Sequence, residues 1–326
     1  MNLTDVQDHF ATQRLPIQWL PDGGTRMLIR PGAGALDFGG EVAVVVPDVH
    51  LGTGAGDIFQ EASPERKGRL ERFLDVLAGL RDGVGAAAFK AVQLGDFYDL
   101  WRKVPSADYA QACATIESEY DGVVQRARAL PLLHCIGNHD ADFYRMRPPV
   151  AQIDVAVWRT IGDQFLCFHG HDFVSLRDVQ VDPGADPLLL SLVNSIARIP
   201  LTSSLDLALQ AHFDESFQED PILSQPNLTS KPWPHTQPGA DGWNGESPWV
   251  DRANRGDIGQ MLFDTEGIAD VRIDAAFVGH SHRPGISWCR IEQNRRIPLI
   301  DVGSWTYGRS EFAVVCADGI GLARVA

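Results

Sequence analysis

The stretch Glu41-Val42-Ala43-Val44-Val45-Val46-Pro47 followed by Asp48-Val49-His50 decides how the rest of the chain is read. A continuous β-branched and apolar run, with no alternation of polar residues, predicts a strand buried on both faces. Downstream, Ser63 as N-cap and Pro64 in the first turn open a helix, in which Leu70, Phe73, Leu74, Leu77 and Leu80 recur at helical spacing. Residues 87–94 form a second apolar run that ends in Gly95-Asp96, a helical stretch spans about 106–129, and 131–136 reads as a third strand. This β-α-β-α-β rhythm predicts a layered α/β fold around a mainly parallel central sheet.

Upstream, residues 1–40 read as an irregular N-terminal extension, with turn signals at Gly23-Gly24, Pro31-Gly32 and Gly39-Gly40. Beyond 150 the pattern is strand-rich, at 152–158, 164–168, 271–278, 285–291, 297–302 and 311–316. Two apolar helices are expected at 186–197 and 203–213, and residues 216–250 hold six of the 20 prolines and three of the eight tryptophans, Trp233, Trp243 and Trp249. A segment of that length inside a domain is usually functional or disordered. The reading is one domain over 41–326, interrupted by an insertion at 176–268 that forms a cap or lid over the cleft, or else a surface or oligomer contact.

Composition narrows the class. The 326 residues carry a formal charge of −15, which repels phosphate backbones and argues against nucleic acid as a partner. The five cysteines (Cys113, Cys135, Cys167, Cys289, Cys316) are odd in number and contain no C-x-x-C pair. That pattern predicts a reducing, cytoplasmic location rather than a disulfide framework or thiolate zinc site. No apolar run is long enough for a membrane span, and Met1 to Leu20 lacks the layout of a signal peptide.

Five short motifs fall where strands are expected to end: Asp48-Val49-His50, Gly95-Asp96-Phe97-Tyr98-Asp99, Gly137-Asn138-His139-Asp140, His169-Gly170-His171-Asp172 and Gly279-His280-Ser281-His282. In parallel α/β sheets, ligands bind outside the carboxyl ends of the strands. Taken alone, each motif has a bland explanation: a turn, a helix cap or an exposed histidine pair. Together they need five such coincidences in order. Carboxylates and imidazoles combined suit Mn²⁺, Fe²⁺ or Zn²⁺ better than Ca²⁺ or Mg²⁺. The glycines beside them allow the backbone to turn sharply.

In this order the five blocks resemble the calcineurin-like metallophosphoesterases, whose pattern is D-x-H, G-D-x-x-D, G-N-H-D/E, H-x-H or H-G, and G-H-x-H. The resemblance covers residues 41–175 and 271–305. It implies a metallophosphoesterase four-layer α/β/β/α sandwich, with a long insertion before the last motif, and a dinuclear centre. Carried over by position, one metal would be held by Asp48, His50, Asp96 and His282. The other would be held by Asp96, Asn138, His169 and His280, with Asp96 shared. Two divalent ions are expected, Mn²⁺ first, with Fe²⁺ or Zn²⁺ as alternatives. A shared carboxylate suits the ~3.5–4 Å separation of two-metal catalysis.

The same pattern makes His139 the group that contacts phosphate and protonates the leaving group, with Asp99 behind it to orient the ring; Asp99 could instead cap the stretch from Leu100. Asp140 reads as a cap or brace, and His171 and Asp172 as supporting residues or surface loop. The implied reaction is dinuclear metal-dependent hydrolysis of a phosphomonoester, phosphodiester or nucleotide-type pyrophosphate, with a metal-bridging hydroxide as nucleophile and a small-molecule substrate.

Departures from the pattern narrow the branch. Leu100 stands where the protein Ser/Thr phosphatases carry arginine. The blocks at 48–52 and 95–101 resemble the UDP-diacylglucosamine pyrophosphatases, yet His139 stands where the best-known form of that enzyme has arginine. Two alternatives stay open: a catalytically silent binding scaffold of the same fold, and a UDP-sugar-lipid pyrophosphatase as the specific activity. The acidic charge argues against a third, a nuclease of this fold.

Overall fold

A computed structural model of the chain describes residues 1–20, 36–53, 57, 59, 65–100, 109–137, 139–140, 155–156, 158–162, 164–170, 273–280, 282, 284–292, 295–306 and 309–326. In order, these form α1 (Leu3–Thr12), β1 (Ile17–Trp19), β2 (Val42–Val46), α2 (Glu65–Val84), β3 (Phe89–Gln93), α3 (Tyr109–Glu119), α4 (Asp121–Ala129) and β4 (Leu133–Cys135). There follow β5 (Val155–Ala156), β6 (Trp158–Ile161), β7 (Phe165–Phe168), β8 (Ala275–Val278), β9 (Gly285–Glu292), β10 (Arg295–Asp301), β11 (Glu311–Cys316) and β12 (Gly319–Val325).

The apolar run at 42–46 is the centre of a seven-stranded sheet, in the order β1-β12-β11-β2-β3-β4-β5. Its side chains alternate between two cores, as the pleat requires. Val42, Val44 and Val46 pack with residues of α1, α2, α3 and α4, including Phe10, Phe73, Leu77, Ile116 and Val123. Ala43 and Val45 pack on the other side, against Phe165 and Cys167 of β7, Phe277 of β8 and Ile300 of β10. Those strands belong to a five-stranded sheet, β6-β7-β8-β10-β9. Among the described residues, helices therefore pack on one sheet that lies on a second sheet, an α/β sandwich that supplies three layers of the expected four-layer α/β/β/α arrangement. The insertion at 176–268, with both of its expected helices, lies outside the described residues.

Three differences from the sequence reading have local causes. The first 20 residues are ordered structure rather than an irregular lead-in. Asn2 caps α1 in a reciprocal capping box with Asp5, while Leu3, Val6 and Phe10 bury one face. β1 then pairs antiparallel with β12, so the start of the chain closes one edge of the sheet. The helical stretch over 106–129 is two helices that part at Tyr120, a fully buried residue whose hydroxyl donates to Asp57. The central sheet is parallel only from β2 through β5; β11, β12 and β1 run antiparallel.

The parallel core aligns the carboxyl ends of β2, β3 and β4 on one edge. In the second sheet β7, β8 and β10 are also parallel. Each of the five motifs begins at one of these ends, so two sheets deliver their loops to one place.

Candidate metal centre

Asp48 follows β2 and is completely buried, and so is Asp96 but for 1% of its surface. Asp48 Oδ2 lies 3.1 Å from His282 Nε2, and that nitrogen lies 3.0 Å from His50 Nε2. On the other side Asp96 Oδ2 lies 3.2 Å from His169 Nε2, which faces His280 Nδ1 at 3.2 Å. The two groups, Asp48/His50/His282 and Asp96/His169/His280, each gather ligand atoms within 4.8 Å of one another. Asp96 Oδ2 also comes within 3.6 Å of His50 Nε2, so it stands between them.

Backbone conformation makes this convergence possible. His50, Asp96, His280 and His282 all take left-handed φ angles, of 57°, 53°, 67° and 55°. The turns were expected at the neighbouring glycines; the ligand-bearing residues themselves also make them. Such positions cost on the order of 1–3 kcal/mol each for a residue with a side chain. Full burial contributes ~1.5–3 kcal/mol for each of the four valines of β2, a gain of the same order as the cost of the four turns. Hydrogen bonds from the N–H groups of Val49 and His50 to Asp96 O, at 3.0 and 2.8 Å, hold two of these turns against each other.

His139 lies beside the cluster. Its Nδ1 is 2.9 Å from Asp99 Oδ1, and its ring meets that of His50 edge-on at 4.5 Å between centroids. Asp99 therefore pairs with this ring through Oδ1, while its Oδ2 lies 3.6 Å from His50 Nδ1. Asp140 is a brace: it accepts from the N–H of Gly137 at 2.7 Å and of Phe97 at 2.9 Å, tying two motif loops together.

Charge in the cluster is unevenly distributed. Burial disfavours a charged His169, but the carboxylates of Asp96 and Asp48 outweigh it and push its pKa up to about 9. Burial likewise opposes ionisation of Asp96, yet His169, His139 and His50 hold it well below the usual carboxylate range. His50 goes the other way: burial, reinforced by His139, drives it down to about 4 and leaves a neutral imidazole. Burial and the Asp96 charge lift Asp140 to about 7.

These residues fit a pair of divalent cations. Two buried carboxylates demand positive charge, which a proton on His169 supplies in the bare chain. Facing imidazole nitrogens 3.0–3.2 Å apart can share at most one proton per pair, whereas a cation accepts both lone pairs. Of the expected ligands, Asp48, His50, Asp96, His169, His280 and His282 come together. The remaining expected ligand, Asn138, lies outside the described residues, as do His171 and Asp172, which were expected only as supporting residues or surface loop.

Sequence reasoning passed over the loop between β10 and β11. Trp305 N–H donates to Asp48 O at 2.8 Å, Arg309 Nη1 to His282 O at 2.9 Å, and Thr306 Oγ1 lies 3.5 Å from His282 Nδ1. Buried Glu311 anchors the loop by accepting Ser304 N–H at 3.0 Å. The available signal was Asp301, Ser304, Thr306 and Glu311, polar residues set among apolar strands.

A family model for calcineurin-like phosphoesterases matches residues 43–284. That span is most of the chain and reaches from β2 to the last ligand motif, so the chain belongs to the calcineurin-like phosphoesterase family. A search among curated proteins finds no match. No helix among the described residues is long and apolar enough to cross a membrane.

Proposed function

We propose that the protein is a metal-dependent hydrolase of small phosphoesters: a phosphomonoester, a phosphodiester or a nucleotide-type pyrophosphate. The observation that carries this reading is the His139–Asp99 pair, 2.9 Å apart, set edge-on against His50 of the cluster. A metal-binding scaffold has no need of a carboxylate-oriented imidazole beside its ligands. An acid catalyst does.

Asp48, His50, His282, Asp96, His169, His280 and Asn138 would hold two cations, Mn²⁺ first. When bound, the cations supply Lewis acidity at the phosphoryl oxygens and a nucleophile from water near neutral pH. Asp96, which lies near both His169 and His50, would contribute to holding both cations. Asp99 accepts from His139 Nδ1–H and so assigns Nε2 as the nitrogen that meets substrate. There it holds a proton for the leaving oxygen. The pair also stabilises the charged imidazole before transfer. Burial of His50, Asp96 and Asp99 keeps bulk water from screening these charges.

The test is hydrolysis of a chromogenic aryl phosphate by Mn²⁺-loaded protein, followed by a screen of metabolite phosphoesters. Turnover that survives thorough demetallation, or no turnover of any ester despite stoichiometric metal, would overturn the reading.

A further inference from the structure

Gln93 is the last residue of β3 and is completely buried, an expensive place for a primary amide unless every polar atom is met. Every one is. Gly95 N–H donates to its Oε1 at 3.0 Å, and His134 Nδ1 approaches the same oxygen at 3.3 Å. Its Nε2 donates to Pro47 O at 3.3 Å and to Gly95 O. An N–H can only donate and a carbonyl can only accept, so the amide has one orientation. Nδ1 of His134 must then carry the proton.

The partners are what give this network meaning. Pro47 and Gly95 immediately precede Asp48 and Asp96, the two buried carboxylates of the cluster. His134 lies on β4, in register with Gln93, on the strand that leads to Gly137 and His139. One side chain thus joins the last turns of three strands, each of which delivers a site residue. Glutamate has the same shape but brings no donor to the two carbonyls. An apolar residue would strand the Gly95 N–H and both carbonyls.

We propose that Gln93, with His134 behind it, is a positioning residue that sets the spacing of Asp48 and Asp96. The proposal rests on the reading of the cluster as a two-cation centre. It reaches the cations only through the backbone preceding each carboxylate.

The test uses the full chain stripped of metal, titrated calorimetrically with Mn²⁺ and followed by electron paramagnetic resonance for the exchange-coupled pair. Gln93→Glu is expected to weaken Mn²⁺ binding by about 10–100-fold, the usual effect of losing a residue that supports metal ligands, and to diminish the coupled signal. His134→Phe keeps a ring against Phe97 but removes one of the four bonds, so a smaller loss in the same direction is expected. A folded variant of either kind that binds both ions with wild-type affinity and an unchanged coupled spectrum overturns the proposal, even if its melting temperature falls. In the wild type, nitrogen NMR should show His134 with its proton on Nδ1; a proton on Nε2 overturns the network without any variant. Wild-type protein that takes up no Mn²⁺ pair defeats the metal-centre reading itself, a result distinct from failure in the variants alone.

Discussion

The backbone N–H of His139 donates to Oδ1 of Asp96 at 2.8 Å. The loop that carries the expected acid is therefore fastened to the carboxylate that stands between both ligand groups. Oδ2 of the same carboxylate is left facing His169 and His50. A displacement of Asp96 must displace His139 with it.

Asp96→Asn separates charge from shape, because the amide oxygen can still accept the His139 N–H. The variant is expected to fold, to lose at least about 10–100-fold in Mn²⁺ affinity, and to lose aryl phosphate turnover. Elemental analysis after dialysis checks the first effect. Retention of two tightly held ions per chain would contradict the shared role.

His139→Ala should spare metal binding and slow chemistry, whereas Asp99→Asn should slow chemistry and also weaken Mn²⁺ binding, because Asp99 Oδ2 lies 3.6 Å from His50 Nδ1. The expected loss in kcat is about 10²–10⁴-fold for His139→Ala, the ordinary contribution of general acid–base catalysis. It should shrink for esters whose leaving group departs without a proton, such as nitrophenolate. A series of leaving groups of rising basicity measures this; equal losses across the series would remove His139 from the acid role.

Two glycines lie so close to the carboxylates that a methyl group does not fit. A Cβ at Gly137 would come within 2.0 Å of Asp96 Oδ1, and one at Gly279 within 2.2 Å of Asp48 Oδ1. Gly137→Ala and Gly279→Ala should each cost about 1–3 kcal/mol of stability through overpacking and weaken Mn²⁺ binding. Thermal unfolding with and without Mn²⁺ reads both effects. A variant that melts lower but gains as much from Mn²⁺ as the wild type would show that the carboxylates had not moved.

Glu311 predicts a pH effect on stability. Burial pushes its pKa up to about 7 from an ordinary 4.5, against the pull of Arg309. A raised folded-state pKa favours the protonated form in the fold, so its contribution is present below about 4.5 and is lost as pH rises through about 7. The full difference is on the order of 3 kcal/mol. Metal-free wild type should lose stability relative to Glu311→Gln between pH 5 and about 7.5 in chemical denaturation. Parallel curves for the two proteins would refute the assignment.

What could be read in the sequence was local or repeated. The run at 42–46 declares a doubly buried strand because both faces are apolar, and the five motifs announce themselves by order. The edge formed by β1 and β12 was not legible, because pairing between residues 17–19 and 323–325 leaves no trace in either segment. α1 did leave one, in Asn2, Asp5 and the spacing of Leu3, Val6 and Phe10. Gln93, like Lys90, is a polar residue within an apolar run; only the fold shows that it faces the backbone before two carboxylates. The 301–311 loop was hidden similarly, since its contacts with Asp48 and His282 span the sheet-to-sheet junction.

The contact between His280 N–H and Asp48 joins residues 232 positions apart. During synthesis at about 5–20 residues per second, the segment with Asp48 and His50 waits on the order of 10–50 s for His280 to be made. A cation that arrives in that interval meets an incomplete ligand set and can leave again. Two cations could therefore meet the whole proposed ligand set only after residue 282 has been made, late in the synthesis of the chain.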